Sequence, residues 1–213
     1  MPAPIAPVTL SGRTIRLEPL TLAHASALAT VADPALFRWY TIRIDSPADM
    51  TRWVEDAINS HAAGTALPFA IVRADGDRVI GSTRFMNVSQ YDGRYEIGST
   101  WIATDQQRTA ANTEAKYLML RHAFETLGAR RVELKTHAQN AQSRRAIERL
   151  GARFEGTHRN HMLMYDGTMR DTVWYSIIDS EWRHVKARLE SRLETGMAGP
   201  SGVAGSPATA GRS

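Results

Sequence analysis

The polar residues with most chemical promise sit where strands hand over to helices. The stretch Trp101-Ile-Ala-Thr-Asp-Gln-Gln-Arg-Thr-Ala-Ala-Asn-Thr-Glu-Ala115 reads as a strand, a short polar loop and the first turn of a long helix. A helix start offers unpaired backbone N–H groups and the positive end of the helix dipole, so it favours an anion. Neither G-x-x-x-x-G-K-[ST] nor G-x-G-x-x-G occurs, which excludes a Walker-type loop and the dinucleotide fingerprint. A second helix start follows at Asn140-Ala-Gln-Ser143, with Gly151 to stop that helix. Asn140 stands where an N-cap is expected, and capping alone explains the residue.

A carboxylate and several histidines and aromatics complete the set. In Tyr95 to Ile102 the alternation predicts Tyr95, Ile97 and Trp101 on one face and Glu96, Gly98 and Thr100 on the other. Glu96 then points away from the large apolar side chains, either as a solvated strand carboxylate or as a base for an amine. His158-Arg-Asn-His161 spaces two rings so that a regular strand puts them on opposite faces. With no third ligand evident, no metal is expected there. His137, just past a strand, is a weaker alternative base. Trp39, Tyr40 and Arg43 lie between the first two helices, where they either pack locally or wall a cleft.

The elements that must position these residues alternate in kind. Strands are predicted over Thr14 to Leu17, Pro68 to Val72, Val79 to Val88, Tyr95 to Ile102, Val132 to Thr136, Arg153 to Tyr165 and Val173 to Ile178. Helices are predicted over Leu22 to Val31, Pro47 to Ala62, Thr109 to Leu127, Ala141 to Leu150 and Ser180 to Leu193. An antiparallel run followed by strand–helix alternation predicts an α/β fold. Its mixed sheet is splayed, changes from antiparallel to partly parallel and is flanked by helices. Ligands collect where the strand order of such a sheet changes.

These features, together with Arg170-Asp-Thr-Val-Trp-Tyr-Ser176, resemble the GNAT superfamily of acyl-CoA-dependent N-acyltransferases over about residues 9 to 194. Within it they are most similar to the RimJ/RimL branch of ribosomal-protein N-terminal acetyltransferases. The resemblance implies acetyl-CoA as cosubstrate and direct attack on its thioester by a primary amine, either a protein N-terminal α-amine or a small-molecule amine. It aligns the family's pyrophosphate loop, Q/R-x-x-G-x-G/A, with Gln107, Arg108, Thr109, Ala110, Ala111 and Asn112. It also implies that Trp101 and Ile102 offer backbone groups to the pantetheine arm and that Asn140 bonds to it. It further implies that Ser143 lies beside the thioester as the general acid this helix offers, that Glu96 serves as base, and that Trp39, Tyr40, Arg43, His158 and Arg159 line the acceptor side. Two departures stand out. Ala110 and Asn112 replace the small positions of the loop, and Ile147 stands where relatives place a Tyr acid. They motivate an alternative reading, a non-catalytic acyl-CoA-binding or regulatory domain.

Composition narrows the remaining classes. The 213 residues, 43% hydrophobic, suffice for one domain, here expected at 9–194 between disordered tails at 1–8 and 195–213. The absence of cysteine excludes disulfides and a thiol nucleophile and favours a cytoplasmic protein. No signal-like or membrane-spanning segment is evident, so no membrane partner is expected. Of the net charge of +4, the stretch Arg108 to Arg170 carries 12 basic and 6 acidic residues, which suits a polyanionic ligand. Nucleic-acid binding is not expected, since no matching motif accompanies that charge. The superfamily often dimerises, and a homodimer is compatible with this chain.

Overall fold

A computed structural model describes residues 5–197 of the chain. One eight-stranded sheet runs through it: β1 (Leu10–Ser11), β2 (Ile15–Pro19), β3 (Leu67–Arg73), β4 (Val79–Ser89), β5 (Arg94–Ile102), β6 (Arg131–His137), β7 (Arg153–Leu163) and β8 (Met169–Ile178). Their spatial order is β1-β2-β3-β4-β5-β6-β8-β7, antiparallel throughout except for β5 beside β6. The expected antiparallel-to-parallel sheet is therefore present. Its first five strands are laid down in chain order, because each is joined to the next by a turn, a hairpin or a short helical excursion.

Five helices cover the two faces: α1 (Ala25–Val31), α2 (Pro47–Ala62), α3 (Ala111–Glu125), α4 (Ala141–Leu150) and α5 (Asp179–Met197). The start of α2 follows from Ser46, whose side chain accepts from the Asp49 N–H while Asp49 reaches back to the Ser46 N–H, with Pro47 at the first position. At the end of α4, Gly151 takes a left-handed φ of 102°, which a side chain would disfavour.

Strand alternation sorts the apolar residues into two cores. Phe69, Ile71, Phe85, Tyr95, Ile97, Val132, Leu134, Val173 and Tyr175 pack against α3, α4 and α5. Ala70, Val72 and Trp101 pack on the other face against Phe37, Met50, Trp53 and Val54 from the α1–α2 side. Ile5 is buried in the first core and Val8 packs against it, so apolar burial reaches into the stretch 1–8 expected as a tail, whose residues 1–4 lie outside the described residues. At the other end α5 runs to Met197, three residues beyond the expected tail boundary, and the rest of that tail lies outside the described residues.

One buried carboxylate joins the hairpin β1–β2 to α3. Glu114 accepts the N–H groups of Arg13, Thr14 and Ile15 at 2.6, 2.9 and 3.0 Å and the Thr14 hydroxyl as well. Gly12 leaves room for it, since a Cβ there would lie 2.5 Å from the carboxylate carbon.

Candidate active site

Parallel pairing of β5 with β6 lasts only three residues, from Arg94 opposite Arg131 to Glu96 opposite Glu133. Beyond Glu96 the strands part, and β5 continues to Ile102 with β4 as its only partner strand among the described residues. A bulge accompanies the parting. Ser99 takes a φ of +47°, and the register with β4 jumps from Gly98 opposite Arg84 to Trp101 opposite Ser82. The extra residue reverses the alternation, which corrects the sequence-based face assignment. Trp101 lies on the α1–α2 face, opposite Tyr95 and Ile97, and Thr100 turns its hydroxyl to the α3 side.

The polar loop opens at the mouth of this gap. Arg108 takes the left-handed conformation, φ +62°, while Ala110 is helical at φ −66° and ψ −19°. Glycine is thus not needed where the family pattern has it, because the strained position falls on Arg108. The Thr109 hydroxyl donates to the Gln106 carbonyl and accepts the Ala111 N–H, and the N–H groups of Asn112 and Thr113 find no acceptor among the described residues. Gln107 spans the mouth: its amide donates to the Ile102 carbonyl at 3.4 Å and accepts from Gln142 of α4 at 3.3 Å.

Across the gap the cap at α4 is as expected. Asn140 Oδ1 accepts the Ser143 N–H at 3.0 Å, which leaves the Asn140 amide nitrogen to donate elsewhere. Ser143 is half-buried, and its hydroxyl bonds to no group among the described residues. Ile147 is buried in the core, where a Tyr would have to be accommodated among apolar side chains.

Glu96 is 1% exposed, which excludes the solvated-carboxylate reading. Its Oε2 accepts from Asn87 Nδ2 at 2.7 Å and from Lys135 Nζ at 3.2 Å, while its Oε1 has no partner. Asn87 reaches it from a bulge near the end of β4, where its φ is +49°. Lys135 sits over the ring of Trp174, 4.8 Å from the centroid, and opposite it in the register. Asn87, Lys135 and Trp174 were not singled out from the sequence. The alternation of Glu133, Lys135 and His137 was the available signal, but it does not reveal which strand lies beside β6.

The two histidines also come together. A bulge between His158 and Met162, with Asn160 at φ +48° and its N–H on Asp171, turns His161 back to the side of His158. The rings lie 5.2 Å apart, and both lean on Trp174, at 5.3 and 5.9 Å. Burial first, and then Lys135, holds the His161 imidazolium below its ordinary pKa. Arg159 is exposed and joins none of these contacts.

On the α1–α2 side, Trp39 packs on His137 at 4.7 Å, and its carbonyl accepts from Arg170 at 3.1 Å. Tyr40 donates to the Thr100 carbonyl at 2.8 Å, and burial raises its phenol pKa. Both therefore stand against the site strands. Arg43 does not, because it is exposed and paired with Asp45.

Comparison with known proteins accords with this architecture. Residues 14–153 match the acetyltransferase (GNAT) domain. An uncharacterized N-acetyltransferase, p20 of Bacillus licheniformis, is 25% identical over 176 residues, 82% of this chain and 98% of that protein. A crystal structure of a GCN5-related N-acetyltransferase from Brucella melitensis superposes with a TM-score of 0.83 at 34% identity, covering 90% of this chain and 87% of that one. RimJ of Mycobacterium smegmatis, solved with CoA-disulfide, shares the fold with a TM-score of 0.72 at 22% identity, over 86% and 90% of the two chains.

Proposed function

The chain belongs to the GNAT acetyltransferases and is an N-acetyltransferase; from that premise we propose that it moves an acetyl group from acetyl-CoA to a primary amine held at Glu96. The observation that carries this reading is the asymmetry of the Glu96 carboxylate, with Oε2 held by Asn87 and Lys135 and Oε1 bare. A buried anion with one free oxygen beside a splayed sheet is suited to receive an ammonium and take its proton.

The groups around the gap suit the acyl donor. Free N–H groups at the start of α3, with Arg108 and Asn112 beside them, suit a pyrophosphate. The unpaired edge of β5 through Trp101 and Ile102 suits an extended amide-bearing arm, and Asn140 adds a side-chain donor. Acetyl-CoA supplies an activated thioester carbonyl and a thiolate leaving group. In this reading Glu96 holds the amine and accepts its proton as the new N–C bond forms. Ser143, at the positive end of α4, steadies the departing sulfur by donating its hydroxyl hydrogen.

The bare Oε1 favours turnover over the non-catalytic alternative, because a retained carrier domain has no use for an unpaired buried carboxylate. The acceptor class, a protein N-terminus or a small amine, belongs to the same proposal. The test is thiol release from acetyl-CoA against short N-terminal peptides and small amines. Release with at least one acceptor is the expected result, and CoA binding without release across the panel would leave the carrier-domain reading in its place.

A further inference from the structure

Among the described residues, six buried side-chain polar atoms have no hydrogen-bond partner: Arg84 Nε and Nη2, Glu96 Oε1, Trp101 Nε1, Trp174 Nε1 and His122 Nε2. All but the last lie on one face of the sheet, the α1–α2 face that carries the candidate site. Leaving such atoms unpaired is costly, so several together on one face point to a ligand that satisfies them.

Arg84 is the most exceptional of them. The residue is 8% exposed, and its guanidinium lies over Trp53 at 4.4 Å. Tyr40 and then Asp56 of α2 act on it electrostatically, neither through a hydrogen bond or an ion pair. A buried guanidinium normally has a carboxylate or phosphate on its fork. Arg84 stands opposite Gly98 in the register and Met86 opposite Glu96, so Arg84 and Glu96 are diagonal neighbours on one face. Such neighbours sit about 7 Å apart at the backbone. Gly98 has no side chain, and the space over it is filled by the flexible Met86 thioether, whose sulfur a Cβ there would meet at 2.5 Å, with Glu96 Oε1 at 3.1 Å, so a ligand reaching both groups displaces only that thioether. The neighbouring cation Arg170 is already spent on the Trp39 carbonyl and Thr172.

We infer that the acceptor is an amine that also carries a carboxylate, its ammonium on Glu96 Oε1 and its carboxylate on Arg84 Nε and Nη2. This rests on the acetyl-transfer reading and narrows its acceptor class. Two groups of opposite sign with unpartnered atoms, on diagonal positions of one sheet face, match a zwitterion, and a peptide N-terminus followed by an uncharged backbone amide would leave Arg84 unpaired.

The test compares binding and not turnover. Calorimetry in the presence of CoA would measure phenylalanine, methionine and 4-aminobutyrate, each against its own carboxamide, with wild-type protein and with Arg84→Gln and Arg84→Lys. The expected result is that at least one acid binds about tenfold or more tightly than its carboxamide. In Arg84→Gln that ratio falls to about one while CoA affinity is kept, and Arg84→Lys restores part of it. Wild-type protein that binds carboxamides as tightly as acids, or binds neither, overturns the acceptor assignment and leaves acetyl transfer standing. Failure to bind CoA strikes the acetyl-transfer reading itself. In that case the acid–carboxamide comparison, repeated without CoA, still decides the assignment at Arg84.

Discussion

The two oxygens of Glu96 are not interchangeable. Oε2 is held by Asn87 and Lys135, and Oε1, buried and without a hydrogen-bond partner among the described residues, stands beside Gly98, over which the Met86 thioether lies. Glu96→Gln keeps the size and removes the base, so kcat should fall by about a hundredfold while the KM for acetyl-CoA stays near its wild-type value. Steady-state thiol release checks this, and an unchanged kcat would remove Glu96 from the chemistry. Lys116 makes a different residue-scale prediction. It is buried under β5 on the hydroxyls of Thr83 and Thr100, and burial lowers its pKa from 10.5 to about 7. Below about pH 7 it is charged in both folded and unfolded chains, and the cost of burying that charge is fully present. Between about pH 7 and 10.5 only the unfolded chain keeps the proton, so stability rises with pH, by up to about 1.4 kcal/mol per pH unit. Urea unfolding of Lys116→Met should lack that rise, and parallel curves for the two proteins would contradict it.

At the scale of elements, Glu114 is a bracket between the β1–β2 hairpin and α3. Glu114→Ala strands three backbone donors and a hydroxyl, so the fold should lose about 3 kcal/mol, read as a lower urea midpoint. Such long-range bonds were not legible in the sequence, where Glu114 reads as an ordinary first-turn acid of α3. The elements themselves were legible. Alternation located seven of the strands, and capping residues with prolines and glycines located the helices. What escaped were the bulges. Ser99 and Asn160 adopt positive φ without being glycine, and each shifts the alternation by one residue. A strictly period-two reading therefore put Trp101 on the wrong face and His161 opposite His158. Family likeness supplied Glu96, Asn140 and Ser143, but the partners Asn87, Lys135, Trp174 and Arg84 depend on strand order, which a single sequence does not encode locally.

At the scale of the whole molecule, the candidate site lies where β5 and β6 part within the one sheet, with β1–β5 on one side and β6–β8 on the other. A ligand that fills the gap binds only when both parts are in place, so it stabilises the fold by mass action. CoA at a hundred times its Kd should add about 2.7 kcal/mol, seen as a raised Tm. The excess of basic residues from Arg108 to Arg170 predicts that this protection weakens as NaCl rises from about 50 to 500 mM. A shift insensitive to salt would place the phosphates elsewhere. These two measurements need no acceptor and so are separate from the question of what amine is used.

The strand order also bears on how the molecule is made. β1 to β5 are neighbours in the order in which they leave the ribosome, and each can pair as it emerges. β6 follows as a strand with only three residues of ladder to hold it, and β7 has no place until β8 arrives to separate it from β6. Synthesis therefore yields first a sheet whose open edge is the whole of β5, Arg94 to Ile102, and only afterwards the second wall. A chain that has released β5 but not yet β6 would present that edge to any extended polypeptide, so this stage of synthesis is where the protein is most exposed to mispairing.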